Sequence, residues 1–461
     1  VNYDWTADIS QYANKLNVSI ASGDIPDFFA CDPATYVKLA QNDQLADLSE
    51  AYDKYATPEL KVTMDDFPEG FNSGKQNGKL VALSQQGFGI ISLPPVVWIR
   101  NDWMEKFNFS APETFDDITK MAETFVANKP DGQKDTYGIA IQKDLMGALS
   151  SIDGIANAFH AYPTIWIKNE SGEIVYGSIQ PEMKNALKAM QDWYKKGLIS
   201  KEFGVKDTSK VNEDLVSGKV GIEFGANWNS IWPLNDLVKK NENAIFKPYA
   251  IPSSDDKPTL LQAAWPVNTY YVVNKKCEYP EAIIKLANLF NKKMYHGTEE
   301  DYAKFIRTPS GSENFNFAPV ITFNPMSDYN KHVEIASALK ERDSSKVSIS
   351  FRGSYNNAIG WVENKDVNSY GSYYQLSAEG AYSVLKKFVD EDRILLTELR
   401  GAVTPTMAQK NATLAKLELD TFTKIILGSS LDEFDKFSEN WKKLGGEEIT
   451  KEINSIYNNS N

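Results

Sequence analysis

The sequence predicts an α/β fold divided into two or three domains, on three observations. The chain has 461 residues, more than one compact core holds. Its N-terminal part alternates strand and helix patterns, a strand–helix–strand order that calls for a parallel sheet. Its C-terminal part is almost wholly helical in pattern, with apolar residues at helical spacing.

Val1 to Thr6 alternates apolar and polar residues and reads as the first strand. Ile9, Tyr12, Ala13, Leu16 and Ile20 then fall on one helical stripe, which Gly23 ends. Ile25 to Phe29 starts the next strand, and Thr35 to Ala40 begins another helix. Val96 to Arg100 is a short apolar strand, after which Asn101 caps a helix carrying Trp103, Met104 and Phe107. Thr114 and the pair Asp116 and Asp117 open a helix through Val126, with acids in the first turn as the helix dipole favours. Gln180 to Leu198 is a helix with Met183, Leu187, Met190 and Tyr194 on one stripe and Gly197 at its end. Val220 to Phe224 and Tyr270 to Val273 are strands, and Pro280 to Phe290 is a helix. Three more helices follow, marked by Leu414 to Ile426, Phe434 to Leu444 and Ile449 to Ile456. With no Pro/Gly-rich linker in the chain, the domains are expected to be joined by several ordered crossings.

Composition points to binding. Ten tryptophans and twenty-two tyrosines stand beside only three histidines (His160, His296, His332) and two cysteines (Cys31, Cys277). Indole and phenol rings hold sugars and other flat, partly apolar ligands, whereas His and Cys serve most metal and nucleophilic chemistry. A net charge of -13 argues against nucleic acid and against anionic membrane surfaces. No apolar run approaches the roughly 18 residues of a membrane span. The cysteines read as two small buried residues, with a disulfide as the alternative. The start at Val1, without Met or signal peptide, reads as a mature or trimmed product.

Several segments together resemble the extracellular solute-binding proteins of ABC importers. Ser22-Gly23-Asp24-Ile25-Pro26-Asp27 is similar to that family's "ASGDxPD" segment. Trp98 to Lys106 followed by Pro112-Glu113-Thr114-Phe115 resembles its "xIRxDWLxK…PxTxxE" signature. Asp192 to Ile199 resembles its "LYxxGLI" helix end. Lys424 to Gly428, Phe434 to Phe437 and Trp441 to Gly446 resemble the C-terminal signature of the large lipoprotein branch, which includes LplA-type and alginate-oligosaccharide-binding proteins.

The resemblance implies a two-lobed periplasmic-binding fold, each lobe a mostly parallel sheet flanked by helices, with a ligand cleft between. It implies an extracytoplasmic monomer, anchored to the membrane through a lipidated Cys, that hands an oligosaccharide to permease subunits and needs no cofactor. It divides the chain into lobe one, 1–100 and 269–320, and lobe two, 101–268 and 321–461. Family members carry a further strand and helix ahead of the segment matching Val1, so the sequence is expected to start late. Some relatives carry a calcium loop where this chain has Ala127 to Asp135. Asp131 and Asp135 suit a cation, but Ala127 and Lys129 occupy ligand positions, and a plain Pro-Asp-Gly turn explains the stretch as well.

A sugar needs rings to stack on and paired donors and acceptors for its hydroxyls. Trp228 and Trp232, with Asn227 and Asn229 after the Val220–Phe224 strand, fit best. Trp265, Asn268 and Tyr270 lie at the expected second crossing. Arg352, Tyr355, Asn356 and Trp361 form a further polar-aromatic cluster, in which Arg352 would fork onto a hydroxyl pair or a uronate, or pair with an acid. Gln85, Gln86 and Phe88 precede the first crossing. Asp32 follows a strand end, where a helix cap explains it equally. Trp103, Trp193 and Trp441 lie on apolar stripes and read as core, while Trp5 and Trp98 lie in strand patterns.

Two rival readings remain. A peptide or lipid-precursor binding protein of the same fold fits the aromatics too. A glycoside hydrolase would need two carboxylates in a catalytic setting, and none is recognisable. P-loop, nucleophile-elbow, HExxH and zinc-ligand patterns are absent from the sequence, so binding without catalysis is the expectation.

Overall fold

The computed structural model of the chain describes residues 3–87, 89–92, 94–308, 313–401 and 403–460. The strands that position the site are β1 (Phe28–Cys31), β2 (Ala82–Gln85), β3 (Val96–Arg100), β4 (Tyr137–Ala140), β5 (Val220–Gly225), β6 (Phe246–Tyr249), β7 (Leu261–Ala263), β8 (Thr269–Val273) and β9 (Ile394–Leu396). One sheet has the order β1-β8-β2 and a second the order β6-β3-β5-β4, while β7 and β9 form a separate parallel pair. Helices cover both sheets.

The strand directions correct the expectation of mostly parallel sheets. β8 is antiparallel to both β1 and β2, and β3 is antiparallel to both β6 and β5; only β4 and β5 pair in parallel within these sheets. The cause is the route of the chain. β3 arrives in lobe two from lobe one, and β8 arrives in lobe one from lobe two. Each enters the middle of its new sheet from the cleft side, opposite in sense to the strands native to that lobe. Those native strands do share one direction, with their carboxyl ends toward the cleft.

Two further expectations are revised. The described residues from Tyr3 to Asp8 form no strand, and Trp5 instead packs beside Tyr12 with the Lys15 ammonium 5.0 Å from its ring. The strand Val96–Arg100, assigned by the sequence division to lobe one, is a central strand of the second sheet. The first crossing therefore lies within residues 86–95. The second spans 264–268, and the third leads through Pro325 into the helix Ser327–Glu341.

The helices follow their sequence signals closely. Thr114 and Asp117 form a reciprocal capping box ahead of the helix Phe115–Asn128. Asn101 is the first residue of its helix, not the cap, and its amide donates to Glu105 at 2.6 Å. Trp103, Trp193 and Trp441 are 1, 2 and 3% exposed, as their stripes require. The C-terminal helices Pro405–Ile426 and Asp432–Trp441 bring Phe422, Phe434 and Phe437 into the lobe-two core. Val96 to Ile99 are fully buried on both faces of β3, which is why that strand reads as an unbroken apolar run. β8 likewise sends Tyr271 and Val273 to one lobe-one core and Tyr270 and Val272 to the other. Cys31, which is buried, and Cys277 are both free thiols.

The crossings touch one another. A Cβ added at Gly87 would lie 3.2 Å from the Pro266 carbonyl oxygen of the second crossing. One added at Gly89 would lie 2.5 Å from the Pro325 carbonyl oxygen of the third, and Gly89 has φ +135°. Both the space and the backbone conformation exclude a side chain at Gly89. Gly89→Ala is expected to lower stability by ~1–3 kcal/mol in urea unfolding. An unchanged midpoint would show that the crossings are not packed this closely.

Candidate functional site

The cleft ends of the two sheets are fixed by the crossings. In lobe one they are the carboxyl ends of β1 and β2 and the start of β8. In lobe two they are the start of β3 and the carboxyl ends of β4, β5 and β6. Open α/β sheets bind ligands beyond the carboxyl ends of their parallel strands.

The turn Asn227–Ser230 follows β5 at this end. Its polar side chains are committed to structure. Asn227 donates to the Ser92 carbonyl at 3.1 Å, and its Oδ1 accepts from the Gln375 amide at 2.8 Å. Ser92, on the first crossing, also bonds the Asp328 carboxylate and lies 3.3 Å from the Tyr382 hydroxyl. Asn229 donates to Glu223 Oε1 at 3.1 Å. The indoles are less engaged, with Trp228 half-buried and Trp232 47% exposed. The amides predicted to meet ligand hydroxyls thus hold the turn that presents the rings.

On the lobe-one side, Asp32 caps the helix Pro33–Gln41, accepting from the Thr35 N–H at 2.9 Å and from the Thr35 hydroxyl at 3.1 Å. It remains exposed just past β1. Gln85 accepts from the Tyr271 hydroxyl at 3.1 Å. Gln86 is fully buried, its amide donating to the Phe67 carbonyl at 3.4 Å, which removes it from the cleft surface. Phe88 lies outside the described residues. On the second crossing, Trp265 packs on Phe67 with ring centres 5.2 Å apart, and the Arg400 guanidinium lies 5.3 Å from its ring. Asn268 is exposed beside it. Tyr270 turns into the lobe-one core, stacked on Tyr36 at 4.2 Å, with its hydroxyl donating to Ser73 at 2.9 Å.

The cluster of Arg352, Tyr355 and Trp361 does not join this site. All three lie on the helix Ile349–Asn364. Tyr355 and Trp361 are 5 and 6% exposed, and Trp361 packs against Tyr370 and Tyr374 at the end of lobe two remote from the cleft. A cavity of about 500 Å³ there is lined by Asn101, Asp102, Trp361 and Tyr374. Asn356 is exposed, and Arg352 pairs with Glu299. A larger cavity of about 760 Å³, bordered by Tyr176, Gln180 and Trp441, is also far from the crossings, among the C-terminal helices.

Two carboxyls went unnoticed in the sequence. Glu223, on β5, is fully buried, and burial pushes its carboxyl up to about 8 against the opposing bonds from Ser150 and Asn229. Asp153 opens the helix Asp153–Ala158 and accepts from the Gly154 N–H at 2.8 Å; burial raises its carboxyl too. The readable signal was their position after β4 and at the end of β5, where a lobe of this topology faces its cleft.

The cation candidates are otherwise engaged. Asp131 accepts from the fully buried Arg100 at 2.9 Å and from the Trp103 indole at 3.0 Å, and Asp135 pairs with Lys219 at 2.7 Å. No group of three or more His, Cys, Asp or Glu side chains suited to a metal occurs among the described residues. His332 shares a 2.9 Å hydrogen bond with the Leu376 carbonyl, and His160 pairs with Asp255 at 2.9 Å.

Residues 1–295 match the family model described as bacterial extracellular solute-binding protein. The chain belongs to this family. It is 25% identical to the lipoprotein LipO of Bacillus subtilis, over all of this chain and 86% of that one. It is 22% identical to the polygalacturonan/rhamnogalacturonan-binding protein YtcQ of the same organism, over 96% of this chain and 83% of that one. Its fold is shared with an HMO-binding, ABC-transporter-associated solute-binding protein from Bifidobacterium longum infantis, at TM-score 0.63 and 16% identity, covering 98% of this chain and 91% of that one. The two-lobed architecture is therefore that of the solute-binding proteins. No helix among the described residues is long and apolar enough to cross a membrane.

Because Asp131 is the partner of a buried guanidinium, Asp131→Asn is expected to cost ~1–3 kcal/mol in chemical unfolding. Calcium and then EDTA are expected to leave the melting temperature of the unaltered chain unchanged. A rise with calcium would place a cation on Asp131 in preference to Arg100.

Proposed function

We propose that the chain is the substrate-binding component of an ABC importer that captures an oligosaccharide between its lobes and delivers it to a membrane permease. The observation that carries this reading is the pair Trp228 and Trp232, accessible on and just after a turn whose Asn227 and Asn229 amides each already donate a hydrogen bond, at the cleft end of β5. Indole faces stack on the C–H faces of pyranose rings, and such burial is favourable without any charge. Across the crossings, Asp32, Gln85, Asn268 and Trp265 supply acceptors, donors and a further ring for sugar hydroxyls and faces. The polygalacturonan, rhamnogalacturonan and HMO specificities named for the relatives support a carbohydrate cargo for this chain.

In this reading the lobes close about the three crossings and bury the sugar. The protein acts outside the cytoplasmic membrane as a monomer, held there by a lipid anchor, and it binds without turnover. Ser92 connects the hinge to the indole turn, since its carbonyl holds Asn227 while its hydroxyl reaches Asp328.

The test is thermal-shift screening against oligogalacturonides, rhamnogalacturonan fragments and neutral oligosaccharides, with peptides as controls. A ligand that binds only the folded chain raises the melting temperature with its concentration. One glycan class is expected to give a shift without hydrolysis. Trp228→Ala is expected to weaken that ligand ~10–100-fold, or ~1.4–2.7 kcal/mol, in calorimetric titration. A shift with peptides alone would overturn the carbohydrate assignment, and release of shorter glycans would overturn the binding role.

A further inference from the structure

Glu223 lies between the two loops that end the lobe-two sheet at the cleft. Its Oε1 accepts three hydrogen bonds, from the Ser150 N–H at 3.1 Å, the Ser150 hydroxyl at 3.2 Å and the Asn229 amide at 3.1 Å. Its Oε2 and the Asn229 Oδ1 are both buried and have no hydrogen-bond partner. Among the described residues no ion pair involves Glu223. Two buried oxygens that only accept are thus left orphaned on two side chains already bonded to each other.

A single proton resolves both. A carboxylic acid and a carboxamide form a two-bond ring, one N–H to the acid carbonyl and one O–H to the amide carbonyl. The first bond is present, and a hydroxyl at Oε2 donating to Asn229 Oδ1 completes the second. We propose that Glu223 is held as a neutral carboxylic acid in a ring with Asn229, and that this ring is the positioning element that sets Trp228 at the cleft. The proposal rests on the ligand reading of the Trp228 turn.

The surroundings fit a neutral pair. Gly225 leaves room for the amide, since a Cβ there would lie 2.1 Å from Asn229 Nδ2. The loops are pinned beside it by Ala226 N–H to Ala148 at 2.9 Å and Ser151 N–H to Phe224 at 3.1 Å. Glu223 stands opposite Trp98 of β3 and Ala140 of β4, neither of which titrates. Tyr137 on β4 donates its hydroxyl to Asp214 at 3.0 Å, and Asp153 on the following helix is bonded to its own Gly154 N–H. Arg100, the cation of β3, is at the far end of that strand and is taken by Asp102 and Asp131. Burial raises the carboxyl to about 8, in line with this geometry.

The test needs no ligand. The chain is labelled with fluorotryptophan, the Trp228 resonance is assigned by its loss in Trp228→Phe, and pH is varied from 5.5 to 9.5. The resonance of the unaltered chain is expected to titrate with a midpoint near pH 8, and that of Glu223→Gln to stay constant, because Gln reproduces both bonds of the neutral ring. Thermal stability supplies a second readout. Unfolded Glu223 ionises near its ordinary 4.5 and the folded group near 8, so the folded state holds the extra proton between them. Stability of the unaltered chain therefore falls relative to Glu223→Gln as pH rises through that window, and the difference is constant above it. A Trp228 resonance that titrates equally in both proteins, or in neither, overturns the ring; so does a Gln variant that does not fold. Loss of the carbohydrate reading in the glycan screen would leave these ligand-free results untouched, so the two failures are distinguishable.

Discussion

The structure depends on one constraint of chain routing. The polypeptide passes between the lobes three times, and two of the crossings deliver a strand into the centre of the receiving sheet. β3 is clamped between β6 and β5, and β8 between β1 and β2. Neither lobe can complete its ladder without a strand that has just left the other, because a central strand missing from either sheet would strand the backbone groups of two neighbours. The connections are correspondingly tight. Gly87 lets the first crossing lie close against the second, and Gly89 lets it lie against the third at a distance no side chain permits.

The same constraint decides where chemistry can sit. Both incoming strands enter from the cleft, so the carboxyl ends of the native strands and the loops beyond them face each other across it. Loops held only at their ends would be poor walls for a ligand, since ordering them on binding opposes affinity. Here the polar side chains are used to order them in advance. Asn227 ties its turn to the crossing at Ser92, Asn229 ties it to β5, and Asp32 caps a helix. What is left accessible is chiefly aromatic surface and a few polar tips, a composition suited to ring faces in a preformed site.

Much of this was legible in the sequence, and the exceptions have physical causes. Amphipathic stripes gave the helices, because burial of Phe434, Phe437 and Trp441 at period 3.6 needs no knowledge of the partner. Strand direction was not legible. The apolar run of Val96 to Ile99 reads the same whichever way its neighbours point, and only the crossing makes them antiparallel. Trp228 in the Asn227–Ser230 turn, and Trp232 just after it, are legible because Asn and Trp beside a strand end have few other uses. Trp361 misled for the opposite reason. Phe351, Tyr355, Ala358 and Trp361 form a buried helical stripe, and that periodicity places the ring in the core despite the polar neighbours Arg352 and Asn356. Glu223 escaped notice since a single acid in an apolar strand carries no motif; its meaning comes from Asn229, six residues on, folding back over Gly225.

The two ends of the β3–β5 pair treat buried polarity in contrasting ways. At the far end, Arg100 is fully buried yet meets the carboxylates of Asp102 and Asp131, which remain about one-quarter exposed. Water reaches both carboxylates, so the ion-pair network is solvated from outside. At the cleft end Glu223 has no cation and no solvent. A charge there would draw water into the base of the wall that is proposed to receive a sugar, and hydration of that wall would compete with the stacking of apolar sugar faces on the indoles. A proton shared with an amide removes the charge while keeping the hydrogen bonds that fix the turn. On this argument the lobe carries its charged bracing where solvent can screen it, and keeps neutral the polar pair that stands behind the ligand.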